Sequence, residues 1–170
     1  MSAISLRPYL PSDGAQCADI FRASIELSAS DDYGDEQREA WVARADDKTA
    51  FAGRLASALT LVALIDGEPV GFACLRGESE LDMLYVDPRF GRRGVGAALI
   101  DALSRLASAR GAERLTSEAS DTARALFERQ GFIAQRRNLV QIDDQWLANT
   151  TMVKALAAAD GLRSSPSKLH

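Results

Sequence analysis

Leu81-Asp-Met-Leu-Tyr-Val-Asp-Pro-Arg-Phe-Gly-Arg-Arg-Gly-Val-Gly-Ala-Ala-Leu-Ile100 reads as a strand, a sharp stop and a glycine-studded loop that opens a helix. Leu81, Met83, Leu84, Tyr85 and Val86 form an apolar, β-favouring run. Pro88 cannot donate to a ladder, so the strand ends near Asp87. Gly91, Gly94 and Gly96 then stand just before an apolar helical pattern. Backbone N–H groups therefore gather at a helix N-terminus, where unpaired N–H groups, the positive end of the helix dipole and missing Cβ atoms favour an anion. Arg92 and Arg93 add positive charge at the same point. The loop suits a pyrophosphate.

Two common pyrophosphate loops are excluded. A P-loop needs Gly-Lys-Ser/Thr, and Gly94-Val95-Gly96 is followed by none of these residues. A dinucleotide fingerprint needs a third glycine where this chain has Leu99. Gly91-Arg92-Arg93-Gly94-Val95-Gly96 instead resembles the acyl-CoA loop of the GNAT superfamily of N-acetyltransferases. That loop reads Gln/Arg-x-x-Gly-x-Gly/Ala and follows a strand ending in a Val-Asp-Pro-like turn. Gly91 departs from the pattern, which removes one side-chain contact and leaves the backbone cradle.

Composition narrows the rest. With 170 residues, 46% of them hydrophobic, the chain is expected to form one domain over residues 1–156 with a flexible tail at 157–170. A net charge of −4, with arginines in local clusters, argues against a nucleic-acid partner. No apolar run approaches a membrane span and the N-terminus lacks signal-peptide architecture, so the expectation is a cytoplasmic protein with no membrane partner. Cys17 and Cys74 have no motif spacing and read as packed, reduced thiols. The only histidine is His170, the last residue. Ser-His-Asp and Cys-His mechanisms and a His-based zinc site are therefore disfavoured, and no metal is expected. Proton transfers fall to carboxylates, Tyr, Lys or water.

Ile4 and Leu6 alternate as a first strand closed by Pro8 and Pro11. Ser12 is placed to cap a helix with Ala18, Phe21 and Ile25 on one face, and Asp35 to cap a second helix with Ala40, Trp41 and Val42. A third helical piece spans Asp46 to Ser57. Leu59 to Ile65 and Val70 to Leu75 flank Asp66-Gly67, a hairpin signal. The Glu80 strand follows, making three antiparallel strands in succession. The helix after the glycine loop carries Val95, Ala98, Leu99, Ala102 and Leu106 and stops at Arg110-Gly111. A strand over Glu113 to Glu118, a helix capped by Ser120, and strands over Phe132 to Ile142 and Trp146 to Leu156 complete the order.

A second motif strengthens the resemblance. In the superfamily Asn-x-x-Ala is followed by an aromatic four residues on, then Gly-Phe. Here Ser120, Ala123, Phe127, Gly131 and Phe132 hold those places. The resemblance covers roughly residues 3 to 155. It implies a mixed α/β (α+β) GNAT fold, a mostly antiparallel sheet flanked by helices and splayed where acetyl-CoA binds. It further implies that the amide of Leu84 polarises the thioester carbonyl, that Tyr85 and Val86 carry the pantetheine, and that Arg92, Arg93, Gly94, Val95, Gly96 and Ala97 receive the pyrophosphate.

Acetyl transfer to an amine needs a base, because an alkyl amine with a pKa of about 10 arrives charged. Glu80 stands where the histone-acetyltransferase branch places its catalytic glutamate. Strand parity puts Glu80, Asp82 and Leu84 on one face. Asp82 and Glu118 are further candidates, as is a water chain. Many relatives carry a tyrosine acid where this chain has Phe127, which leaves water, Tyr85 or Tyr33 to protonate the thiolate. Ser120 either hydrogen-bonds the pantetheine or caps its helix. Asp31, Asp32, Tyr33 and Glu36 make an acidic loop suited to a cationic amine, or a solvated patch. Trp41 and Trp146 line the acceptor pocket or close the core. The sequence thus points to an N-acetyltransferase using acetyl-CoA and a small-molecule or peptide amine. A GNAT-fold module that binds acyl-CoA without transfer is the alternative, and the outer strands leave a homodimer open.

Overall fold

The computed structural model describes residues 3–157; most of the tail expected at 157–170, His170 included, lies outside the described residues. The chain runs β1 (Ile4–Pro8), α1 (Gly14–Ala23), α2 (Asp35–Val42), α3 (Lys48–Ser57), β2 (Leu59–Ile65), β3 (Glu68–Arg76), β4 (Glu80–Val86), α4 (Val95–Ala109), β5 (Arg114–Ser120), α5 (Arg124–Arg129), β6 (Ile133–Ile142) and β7 (Gln145–Ala155). The strands form one sheet in the order β1-β2-β3-β4-β5-β7-β6. Every pairing is antiparallel except β4 with β5.

Apolar side chains alternate through the sheet into two large cores, with a third, small cluster of Ala29, Tyr33, Ile142 and Leu147. Leu81, Leu115 and Phe127 pack with Leu99, Ile100 and Leu103 of α4 on one face. Val62, Phe72 and Met83 pack with Phe21, Phe51 and Leu55 of α1 and α3 on the other. Each large apolar side chain so buried stabilises the fold by roughly 1.5–3 kcal/mol. The β2–β3 hairpin closes through Asp66 and Gly67, both at positive φ (53° and 80°), as a type I′ turn requires.

The structure corrects several local expectations. Ser12 does not cap α1. A 3-10 turn over Pro11–Asp13 comes first, and the buried Asp13 carboxylate accepts the Leu10 N–H at 2.8 Å and the Arg7 guanidinium at 2.7 and 2.9 Å. Arg7 outcompetes a local cap because it satisfies a charge as well as a hydrogen bond. Gly34, not Asp35, precedes α2, and its N–H donates to Gln37 Oε1 at 2.8 Å. Asp47 caps α3 by accepting the Ala50 N–H at 3.0 Å. β5 runs on to Ser120, two residues further than expected.

One correction reaches the site. Cys74 pairs with Met83 while the next β3 residue, Leu75, pairs with Leu81, so β4 carries one extra residue at Asp82. This bulge resets the alternation. Leu84 packs against the α4-side core, whereas Asp82 is ion-paired with Arg54 of α3 on the opposite side. Asp82 and Leu84 therefore do not share a face.

Candidate acyl-transfer site

The parallel strands β4 and β5 meet at one point and then part. Glu80 stands opposite Thr116; the Thr116 N–H donates to Ser79 O at 2.8 Å and Ser117 Oγ to Leu81 O at 2.9 Å. Beyond Leu81 the strands diverge. The Asp87 N–H donates to Val70 O of β3 at 2.8 Å. Counting back by alternation, the N–H groups of Val86 and Leu84 point to the other edge, into the gap. Unpaired backbone donors along a central strand form a ladder for an extended amide-bearing ligand.

The gap leads to the N-terminus of α4. Asp87 holds the turn there by accepting the Arg89 N–H at 3.0 Å and its guanidinium at 2.8 Å; that guanidinium holds the Asp87 carboxyl below the usual range. Gly94 caps the helix at φ 86°, a conformation that disfavours any side chain. The first helical bond runs from Ala98 N–H to Gly94 O at 3.0 Å, so the amides of Val95, Gly96 and Ala97 precede it. A Cβ on Gly96 would stand 2.7 Å from Leu126 Cδ2, so glycine lets α5 approach the cradle. Arg92 and Arg93 are exposed, and neither has a carboxylate partner among the described residues; Arg93 lies over the Phe90 ring at 5.5 Å.

Two cavities meet at the gap. The smaller, about 60 Å³, lies between the parted strands and is lined by Leu84, Ala119 and Phe127 among others. The larger, about 350 Å³, opens on the α1–α3 side. Trp41, Asp82, Tyr85, Glu118 and Ser120 wall both. The two cavities therefore share these residues as a common wall.

Comparison with known proteins decides the family. A profile described as an acetyltransferase (GNAT) domain matches residues 29–156. The chain belongs to the GNAT acetyltransferase family. The chain is 37% identical over 152 residues to the uncharacterized N-acetyltransferase YafP of Escherichia coli (strain K12), covering 89% of this chain and 96% of that protein. A crystal structure from Rhodopseudomonas palustris, described as a GCN5-related N-acetyltransferase and class-II aminotransferase, superposes with a TM-score of 0.90 at 55% identity, covering 92% of this chain and 98% of that one. The PaiA N-acetyltransferase from Thermoplasma acidophilum, in complex with coenzyme A, shares the fold at a TM-score of 0.75 and 17% identity, over 90% of this chain and 99% of that one. The GNAT fold inferred from the glycine loop is the fold observed.

Within this GNAT scaffold the candidate carboxylates are not equivalent. Glu80 is gripped by Arg76, Nε to Oε2 at 2.9 Å and Nη2 to Oε1 at 2.7 Å. Asp82 pairs with Arg54 at 3.0 Å and with Arg76 at 3.9 Å. Glu118 has neutral partners: Asn138 Nδ2 donates at 2.9 Å and Thr151 Oγ1 at 2.7 Å. Glu80 lines only the larger cavity, whereas Asp82 and Glu118 line both.

The aromatic candidates divide likewise. Tyr33 is buried, and its hydroxyl donates to Ala148 O at 2.5 Å and accepts the Asp121 N–H at 2.9 Å. Burial raises its pKa, with the Asp121 amide opposing. Tyr85 lies among Phe21, Trp41 and Phe72, and burial pushes its phenol up to about 12. Phe127 is buried edge-on to Phe132 at 4.9 Å. Ser120 Oγ accepts the Ala123 N–H at 3.1 Å, which gives it a turn-closing role. Trp146 is half exposed and absent from the cavity walls, while Trp41 lines both cavities. Of the acidic loop, Asp32 accepts from Thr122 Oγ1 at 2.9 Å and Tyr33 lines the cavity; Asp31 and Glu36 do not.

Sequence reading missed three arginines. Arg44, Arg54 and Arg76, from the turn after α2, from α3 and from the end of β3, converge on the larger cavity. Residues so distant in the chain carry no local signal of meeting. Cys17 and Cys74 are buried, and burial raises their thiols to about 12 and about 11, far from nucleophilic use. Among the described residues no cluster of three metal-ligating side chains occurs, and no helix is long and apolar enough to cross a membrane.

Proposed function

We propose that the protein transfers the acetyl group of acetyl-CoA directly to a primary amine held in the larger cavity. The observation that carries this reading is the parting of β4 and β5 beyond Leu81, which opens a gap between the strands beside a charged cavity. The pyrophosphate lies on the amides of Val95 to Ala97 beside Arg92 and Arg93. The pantetheine runs along the Leu84–Val86 edge, and the Leu84 N–H points at the thioester oxygen, where negative charge develops during attack.

The amine nitrogen bonds to the carbonyl carbon, and the C–S bond breaks with its electron pair leaving on sulfur. Glu118, directly or through one water, takes the ammonium proton before attack, and the second N–H proton, released as the C–N bond forms, leaves to water. Glu80 and Asp82 are committed to arginines, and accepting a proton would forfeit charge-assisted bonds. Phe127 has no proton to give, so water protonates a thiolate whose conjugate acid has a pKa of about 8.5. Tyr85, which ionises only near 12, orients groups at the junction without serving as the acid.

Calorimetric titration with acetyl-CoA, CoA and ATP tests the donor assignment. Binding of acetyl-CoA and CoA with weak binding of ATP is expected; absence of acetyl-CoA binding overturns it. Release of free CoA in the presence of amines then tests transfer, and tight acetyl-CoA binding without turnover of any amine would favour a binding module.

A further inference from the structure

The acceptor cavity carries six charged side chains whose pairing is incomplete in a specific way. Arg54 is matched by Asp82, and Arg76 by Glu80 and Asp82. Glu118 is hydrogen-bonded to neutral groups alone. Arg44 has no hydrogen-bond or ion-pair partner among the described residues. One anion and one cation are thus left without a counter-charge in the same cavity.

Arg44 is presented by an anchored segment. It sits in the 3-10 turn Ala43–Ala45, where Ala45 is fully buried and its carbonyl accepts the Arg22 guanidinium at 3.0 Å. Arg44 and Arg54 line the same cavity as Tyr85. A guanidinium at an aromatic-walled cavity favours a planar, bidentate partner, and a carboxylate is the simplest. The same cavity wall also carries the apolar side chains Phe21, Met83, Val140, Ile142 and Leu147. A volume of about 350 Å³ lies near the lower end of the roughly 300–1,000 Å³ of small-molecule sites.

We propose that the acceptor is a compact amino-carboxylate with an apolar body, its amine beside Glu118 and its carboxylate against Arg44. This rests on the N-acetyltransferase reading above and narrows it. A polyamine would meet one unmatched carboxylate and an opposing guanidinium. A peptide N-terminus would bring no carboxylate to Arg44, because its first carboxyl carbon is an amide.

The test uses the full chain with acetyl-CoA and three matched sets: leucine, methionine and phenylalanine, each beside its carboxamide and the amine lacking the carboxyl group. CoA release gives kcat/KM, and calorimetry gives acetyl-CoA affinity. The expected result is a preference of at least tenfold for a free amino acid over its carboxamide. In Arg44→Ala that preference falls towards one, chiefly through KM, while acetyl-CoA affinity stays as in the parent; Arg44→Lys retains part of it. The inference is overturned if the parent uses carboxamide and acid equally, if the preference survives in Arg44→Ala, or if acetyl-CoA binds and none of the amino acids is acetylated while a carboxyl-free amine is. Failure of the parent to bind acetyl-CoA overturns the acetyltransferase reading itself, and this inference with it.

Discussion

Glu80 of β4 stands opposite Thr116 of β5, and among the described residues this is the single register pair joining the two parallel strands. The same residue ends the β3–β4 turn by binding Arg76 in a two-pronged ion pair. Glu80 therefore marks the vertex from which the strands open, and its carboxylate is occupied by that task. Glu80→Gln should lower kcat by less than about tenfold, whereas Glu118→Gln should lower it by about 10²–10⁴-fold, the usual range for a lost general base. Steady-state rates of both variants, with acetyl-CoA affinity as the folding control, decide between them. A deep loss in Glu80→Gln with a mild one in Glu118→Gln would reverse the assignment.

The cradle depends on Gly94 at φ 86°. Alanine there should cost about 1–2 kcal/mol of stability. The strain would also displace the first amides of α4 and weaken acetyl-CoA several-fold. Urea unfolding and calorimetry read the two effects separately; an unchanged affinity would show that the amides do not hold the pyrophosphate.

Tyr85→Phe separates orientation from acid catalysis. A phenol that ionises near 12 adds no alkaline limb to the rate profile below about pH 11. With water as the acid, the variant should retain kcat within about tenfold; a loss of about 10² or more would make Tyr85 the proton donor.

Asp13 predicts an acid-sensitive fold. The Arg7 hydrogen bonds hold its folded-state pKa below the ordinary 3.8, against the opposing effect of burial. A depressed carboxyl stabilises the fold above the unfolded-state pKa and ceases to do so as pH falls through the folded-state value. Asp13→Asn should cost roughly 2 kcal/mol at neutral pH, less than a fully buried pair because Arg7 is one-third exposed. The stability deficit should shrink below about pH 4. Denaturant midpoints at pH 7 and pH 3 check this, and an equal deficit at both would dismiss the ion pair.

What the sequence revealed and what it hid follow from the range of the interactions. The Asp66-Gly67 hairpin, the stop at Pro88 and the helix opening at Gly94 are local, and residue type alone announces them. The family loop and its partner motif around Ala123 and Phe127 were legible for the same reason. The bulge at Asp82 was not, because a strand's period of two assumes no extra residue, and Leu81-Asp82-Met83 contains no glycine to suggest one. Ser12 has a cap's residue type, but the Arg7–Asp13 contact that sets the start of α1 leaves no signature in the local sequence. The charges of the larger cavity come from residues far apart in the chain, and only the closed fold brings Arg44 and Glu118 to one cavity.

The phenol of Tyr33 joins Ala148 of β7 to the Asp121 amide at the end of β5, contacts spanning 115 and 88 residues of chain. Closing such sequence-distant contacts slows folding. The Tyr33 wall of the larger cavity is thus held by contacts that no local segment can form alone. The Asp121 N–H, shielded only by a side chain from the far end of the sequence, would exchange with deuterium whenever Tyr33 lets go. Its exchange rate measures, without any ligand, how often the Tyr33 wall of the larger cavity is in place.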